Sequence, residues 1–230
     1  MLGKKVKLSK KEIKEDKLVA VYYKSVAYFD KYKKQFAIYG GILLAVIAVI
    51  VVFKYSRAQS NEKAGIELSR VMDLYDQGSF LEAITGRPGT KMIGLKKIVE
   101  EYGSTENGET AKIYLANAYN MLGKFDDAFK YYDDYSGGLK MYKAAALAGK
   151  GGIYAVKKDY KKAAESFYSA SKVSKEISQN PDYLLSAGQY FYEAGDKEKA
   201  KEILEKLKKD YDESMASRQA DQYLVLIGDE

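Results

Sequence analysis

The strongest hydrophobic feature of the sequence is an uncharged run of eighteen residues from Phe36 to Phe53. At about 1.5 Å per helical residue the run is about 27 Å long, close to the hydrocarbon thickness of a bilayer. A buried core helix is a poorer interpretation, because the run has no polar face. A signal peptide cleaved near Ser56-Arg57-Ala58 is also disfavoured, because its basic region would be unusually long. The pattern therefore predicts a transmembrane helix over residues 36–55.

A second helical pattern precedes this run. Ser9-Lys10-Lys11-Glu12 has the form of a capping box, which predicts a helix that begins near residue 10. Apolar side chains then recur at helical spacing on one face, at Leu18, Tyr22, Val26, Phe29 and Tyr32. We expect this helix to lie in the membrane interface before it turns into the span, with its lysines near anionic lipid. A docking helix for a cytosolic partner is the alternative.

After residue 56 the hydrophobic pattern becomes repetitive. Large aromatic residues fall 35 and then 37 positions apart, at Tyr119, Tyr154 and Phe191. A small residue lies three positions before each of them, and alanine lies nine positions after. Gly123 and Gly195 follow the first and third aromatic residues by four positions. This spacing predicts helix–turn–helix units whose small residues let paired helices approach closely and whose glycines form the turns. The three large aromatic residues are expected to fill the space between neighbouring units.

The repeat resembles the tetratricopeptide repeat (TPR) family. The resemblance implies an all-α fold: a single transmembrane helix, then a TPR-type α-solenoid of three to four helix–turn–helix repeats with a C-terminal capping helix. A partial first repeat is interrupted by the turn-forming stretch Thr85–Thr90. The expected parts are a basic segment 1–35, the span 36–55 and a repeat domain 56–230, with units at about 64–103, 109–142, 144–178 and 181–213 and a capping helix at 214–227.

Charge changes this picture by giving the span a direction. The chain carries a formal charge of +6, but residues 1–35 alone hold eleven lysines and four acids. The remaining residues are close to neutral, so the basic balance does not indicate a nucleic-acid-binding domain. Lys and Arg concentrate on the cytoplasmic side of membrane spans. The bias predicts a single-pass membrane protein with a cytoplasmic N-terminus and residues 56–230 exported to the other side of the membrane.

Candidate chemistry is sparse. The chain has no Cys and no His, which removes thiol nucleophiles, the usual general base and the commonest transition-metal ligand. Gly149-Lys150-Gly151-Gly152 lacks the spacing and the Ser/Thr of a phosphate-binding loop, so helix packing is the better interpretation. Acidic pairs such as Asp126-Asp127 are expected on solvated helix faces. We therefore predict no catalytic residues, no metal site, no cofactor and no enzyme activity.

The resemblance does suggest a binding surface, because the first helix of each TPR unit, helix A, lines the concave face. Six residues are candidates for partner binding there: Tyr114, Asn117, Asn120, Met121, Gln189 and Tyr192. Ala148, Gly149 and Gly152 are expected on the same face of the middle unit. Amide and phenol groups between small residues suit an extended peptide backbone, although ordinary surface positions would look the same.

The order of these parts also resembles the YfgM-like proteins, ancillary subunits of the SecYEG translocon. The resemblance rests on architecture, with no signature residue. It implies a protein of a bacterial inner membrane with residues 56–230 in the periplasm. It also implies protein or peptide partners, among them translocon subunits and periplasmic chaperones, and a role in protein export or envelope-protein biogenesis. Residues 10–55 would contact membrane lipid, and no nucleic acid would be bound. The alternative is a scaffold for another envelope complex, such as outer-membrane, cell-division or motility machinery.

Overall fold

The computed structural model describes residues 10–228, with side chains from residue 17 onward. These residues form α-helices and no β-strand. The predicted capping box begins at Ser9 and so lies partly outside them. The helices are α1 Lys10–Asp76, α2 Phe80–Thr85, α3 Leu95–Tyr102, α4 Glu106–Met121, α5 Phe125–Asp133, α6 Lys140–Val156, α7 Tyr160–Ser171, α8 Asn180–Glu193, α9 Lys197–Asp210 and α10 Met215–Gly228.

The chain divides between Ser56 and Arg57 into two compact units. In the first unit, α1 runs without interruption, so the predicted turn between an interfacial helix and the span is wrong. The sequence explains the continuity, because the nearest proline to this segment is Pro88. Among the described residues, α1 alone is long and apolar enough to cross a membrane, a judgement of length and composition only. None of its most apolar window is buried within the structure.

The second unit is a row of antiparallel helix pairs. The end of α1 begins the row; α4 then packs on α5, α6 on α7, and α8 on α9, while α10 covers α8 and α9. Buried side chains between the pairs form three neighbouring hydrophobic clusters along the row. The expected close approaches are present: a Cβ added at Gly151 would meet the Phe167 ring at 2.9 Å, and one at Gly188 would meet Leu204 at 2.5 Å.

The aromatic residues that mark the period do two different things. Tyr154 of α6 meets Phe129 of the preceding pair edge to face, with ring centroids 5.4 Å apart, as predicted for a contact between units. Tyr119 instead stacks on Tyr131 of its own pair at 5.7 Å. Its predicted role as a filler between units is therefore only part of what it does.

The first unit of the row is interrupted where the sequence predicted. The second helix of this repeat is split into α2 and α3. The residues between them form a loop whose two ends are joined by an antiparallel bridge between Gly86 and Ile93. Gly86 has φ +81°, and a Cβ on Gly94 would lie 2.3 Å from the backbone nitrogen of Gly86. Only glycine fits both ends of this excursion. The two ends consequently lie against each other, and α3 resumes next to α2.

The turn inside each helix pair has one recurring geometry. A residue with positive φ ends the first helix, and the next N–H donates to a carbonyl five residues back, as Lys124 does to Tyr119 and Asp159 to Tyr154. Glycine holds the position in three turns, at Gly78, Gly123 and Gly195, and Lys158 holds it in the fourth with φ 59°. An L-residue with a side chain pays a steric cost in this conformation.

Replacing Lys158 with glycine should therefore stabilise the protein by about 0.5–1 kcal/mol. The side chain is exposed and its loss removes no packing. Lys157 is the neighbouring control, because it is also exposed but has φ −78°. Lys157→Gly should destabilise, because it gains no relief of strain and also removes the exposed ion pair with Asp126. Thermal unfolding of the detergent-solubilised chain, followed by circular dichroism, measures both. A lower midpoint for Lys158→Gly would contradict the steric argument.

Candidate functional site

The helix-A side chains form two rows of uncharged, half-buried groups. Counted back from the positive-φ turn residue, the sixth position of each pair is Met72, Asn117, Gly152 and Gln189. The third position is Tyr75, Asn120, Ala155 and Tyr192. All eight residues are partly accessible, and none carries a charge. The two rows thus present amide, phenol and small apolar groups to solvent along four successive helices.

Aromatic rings join three of these helices. Tyr114 of α4 lies between Tyr75 of α1 and Tyr142 of α6, with ring-centroid distances of 5.2 and 6.3 Å. Phe80 extends the series by an edge-to-face contact with Tyr75 at 5.4 Å. Contacts of this kind add to the burial energy of each ring and hold its orientation. The rings therefore make a fixed, partly open aromatic strip across the first three units.

Asn117 is held in place beside this strip. The buried Tyr132 hydroxyl donates a hydrogen bond of 2.5 Å to Asn117 Oδ1. Burial raises the pKa of Tyr75, and a hydrogen bond with Asn117 opposes that rise. Burial, reinforced by a hydrogen bond with Tyr114, raises the pKa of Tyr142 to about 12. The phenols of Tyr75 and Tyr142 are consequently neutral at physiological pH, and the Asn117 amide oxygen already accepts a hydrogen bond from Tyr132.

The six predicted partner-binding residues are distributed over two helices. Tyr114, Asn117, Asn120 and Met121 lie on α4, and Gln189 and Tyr192 lie on α8. Met121 is the most open, with 64% of its surface exposed. Tyr192 is more constrained, because its ring meets Tyr223 of the capping helix α10 at 6.3 Å. The structure does not place the α4 residues in direct contact with the α8 residues, because the α6–α7 pair lies between them in the row.

Two glycines of the middle unit differ in what lies near them, although both are partly accessible. The Tyr132 ring packs close to Gly149, and an added Cβ there would lie 2.3 Å from that ring. Gly152 has nothing within 4 Å and keeps the predicted exposure.

Sequence reasoning missed Tyr75 and Tyr142, which complete the aromatic strip. Tyr75 could have been found, because it precedes Gly78 by three residues as Asn120 precedes Gly123. Tyr142 had no such signal. It lies in the first turn of α6, outside the positions that the repeat alignment matched.

Two charged residues that the sequence singled out are engaged in ion pairs. Lys150, which suggested a phosphate loop, lies within helix α6, pairs with Asp133 at 2.5 Å and lies over the Phe129 ring. Asp126 pairs with Lys157 at 2.6 Å. Within residues described by the structure, no three His, Cys, Asp or Glu side chains are grouped so that they could hold a metal ion.

The fold and these rows define the chain as an all-α protein with a TPR-like solenoid. Two solved structures show the same fold: TPR-like repeats of a Podosopora anserina protein described as a putative kinesin light chain, and a form of those repeats with one residue substituted. They are 12% and 13% identical to this chain, with TM-scores of 0.52 and 0.54. Each alignment covers 73% of this chain, and 86% and 85% of the respective solved chains. No protein-family model and no curated protein matches the sequence.

Proposed function

We propose that this protein is a membrane-anchored, non-catalytic interaction module whose helix-A face binds an extended, uncharged peptide segment. The two rows, which together contain eight uncharged and half-buried residues, carry the proposal. Amide groups hydrogen-bond a peptide backbone, while the aromatic strip offers flat apolar surface for its side chains. The rows hold no Lys or Arg, so a carboxylate or phosphate has no charged partner there.

The anchor in this proposal is the apolar stretch of α1. Its most apolar window has a mean hydropathy of 2.8 and is fully exposed, which suits a lipid environment better than water. The Lys-rich segment before it supports a cytoplasmic N-terminus under the positive-inside rule, with residues 56–230 in the periplasm of a bacterial inner-membrane protein.

The architectural resemblance to YfgM-like proteins supports a role in protein export or envelope-protein biogenesis. Unfolded export substrates expose extended apolar segments of the kind that an uncharged groove would accept. Translocon subunits and periplasmic chaperones are the partners to be sought first. The second candidate role is a scaffold for another envelope complex. In that role the same helix-A face would bind a folded component of the complex.

Site-specific photo-crosslinking in native membranes tests the binding face. A photoreactive amino acid at Met121, which is 64% exposed beside the two rows, should capture a partner. Leu81 is the matched control, because it is a 59% exposed apolar residue that lies on α2 and not on a helix A. We expect adducts at Met121 at least about tenfold stronger than at Leu81, since interface cores dominate contact.

The identity of the adducts separates the two candidate roles. Translocon subunits or chaperones in the Met121 adducts would support export, whereas components of another envelope machine would support the scaffold role. Adducts at Leu81 with none at Met121 would refute binding by the helix-A face.

A further inference from the structure

The compact unit that ends at Ser56 carries an exposed apolar face that begins well before the predicted span. Between residues 18 and 29, α1 leaves large side chains open to solvent, such as Leu18 at 65%, Tyr22 at 65% and Phe29 at 58% exposure. Phe36, where the uncharged run begins, is 49% exposed. No part of the described chain within this unit covers them. A face of this size on a helix normally has a partner.

The face follows a strict seven-residue repeat. Alternating steps of four and three residues from Leu18 reach Tyr22, Ser25, Phe29, Tyr32 and Phe36. The same register continues through the span as Tyr39, Leu43, Val46, Ile50 and Phe53. No position of this seam is charged. Of the eleven seam positions only Ser25 is polar, and the residues before the span set the register, because residues 36–53 are apolar at every position. Apolar residues at this spacing are typical of helices that pack side by side with knobs in holes.

Charge lies away from the seam. With Tyr22 and Phe29 as the first positions of their heptads, Lys17, Lys24 and Lys31 all take the third position. That position points outward in a helix pair. Lys33 lies beside the seam, and its ammonium group pairs with the Asp30 carboxylate at 3.3 Å. When two copies of the helix pack along the seam, Lys17, Lys24 and Lys31 of one helix therefore do not face the same lysines of the other.

The continuity of α1 excludes the membrane interface as the cover for this face. Residues 36–53 already fill a hydrocarbon thickness, so residues 18–35 add about 27 Å of helix beyond it. A helix that lies in the interface must turn at the end of the span, and α1 has no break in this unit. If the span crosses the bilayer, the aromatic part of the seam stands in water, where burial of each large apolar side chain against another helix is favourable.

We infer that a second copy of this chain covers the seam, in a parallel helix pair that runs from Leu18 to Phe53. The inference rests on the proposed membrane anchor. The anchor places every copy in the same orientation, so identical heptads meet in register, and confinement to the membrane raises their effective concentration. A second copy matches both the period and the uncharged character of the seam along its full length.

Cysteine crosslinking tests the inference on the full-length chain in native membranes, because the protein has no cysteine of its own. Ser25→Cys changes the seam least; Tyr22→Cys, Phe29→Cys and Tyr32→Cys complete the seam set. Lys24→Cys, Ala27→Cys, Lys31→Cys and Lys34→Cys form the matched outward set. After oxidation of isolated membranes, we expect disulfide-linked dimers about tenfold more abundant in the seam set, with a seven-residue periodicity.

A second pair of variants checks that the seam itself causes the crosslink. Phe29→Lys in the Ser25→Cys background should abolish the dimer, and Ala27→Lys in the same background should leave it intact. Equal yields in the two cysteine sets, absence of dimers, or adducts with a different protein would each overturn the inference. Extraction of the chain from membranes by carbonate would refute the anchor instead, and that result is read separately from the crosslinking pattern.

Discussion

Replacing Gly108 with alanine should lower the free energy of unfolding by about 3 kcal/mol or more. Gly108 lies in the first turn of α4, and a Cβ there would be 1.8 Å from the carbonyl oxygen of Tyr102 and 2.4 Å from its carbonyl carbon. Both atoms belong to the backbone at the end of α3. No rotamer change relieves the overlap, so α3 and α4 must separate. Urea unfolding of the detergent-solubilised chain measures the loss.

Gly152→Ala is the control for this substitution. Gly152 is also helical, but an added Cβ would meet nothing within 4 Å. Alanine in an unobstructed helix interior is favoured by about 0.5–1 kcal/mol over glycine. The two substitutions should therefore have opposite signs. A small effect of Gly108→Ala would show that the α3–α4 junction is free to shift.

The second large effect is expected at a buried ion cluster. Glu109 and Lys112 of α4 have only 9% of each side chain exposed and pair at 3.0 Å. Glu109 also accepts hydrogen bonds from the Ser136 N–H at 2.9 Å and the Ser136 hydroxyl at 2.8 Å. Lys112 also binds Asp134 at 2.9 Å. Glu109→Leu should cost about 3 kcal/mol, because it leaves the Ser136 N–H without its acceptor and Lys112 undercompensated.

The double variant Glu109→Leu/Lys112→Met should lose less stability than Glu109→Leu alone, because the uncompensated charge is gone. Glu101→Leu is the control: its pair with Lys97 at 3.6 Å is exposed, and we expect a change below about 0.5 kcal/mol. A Glu109→Leu effect as small as that of Glu101→Leu would show that the cluster contributes little.

The same cluster predicts a pH dependence. Burial alone lowers the pKa of Lys112, but hydrogen bonds to Asp134 and Glu109 outweigh it and raise the pKa above its usual value. A raised lysine pKa stabilises the fold fully below the unfolded value of about 10.4, and the contribution disappears as pH rises through the folded value. The stability difference between the wild type and Lys112→Met should thus be constant near neutrality and shrink in strong alkali.

The sequence predicted the fold well because its signals are local and periodic. The spacing of Tyr119, Tyr154 and Phe191 located the helix pairs, and Gly123 and Gly195 located two of the turns. The positive φ of Lys158 was not predicted, because lysine carries no local signal for that conformation. Only its alignment with Gly123 and Gly195 suggests it. The unbroken α1 was missed because an amphipathic pattern followed by an apolar run reads equally well as two helices or as one.

The candidate site was less predictable, because packing decides which helix-A residues stay open. Asn117 and Gln189 were found from repeat position alone. Nothing in the sequence indicated that the Tyr132 ring from the preceding helix pair packs against Gly149 and leaves no room for a side chain there. Tyr142 entered the aromatic strip through the docking of α6 on α4, a contact between units that a repeat alignment does not encode.

The glycine-bounded excursion after α2 has a consequence for how this protein can vary. Because Gly86 and Gly94 lie against each other, the residues between them add chain length without moving α3 relative to α2. With six and eight residues, the two helix pieces together equal the fourteen residues of α9. The excursion is thus a side branch on an otherwise regular helix. It is a place where an epitope tag or a fluorescent domain can be spliced into the chain while the solenoid keeps its spacing.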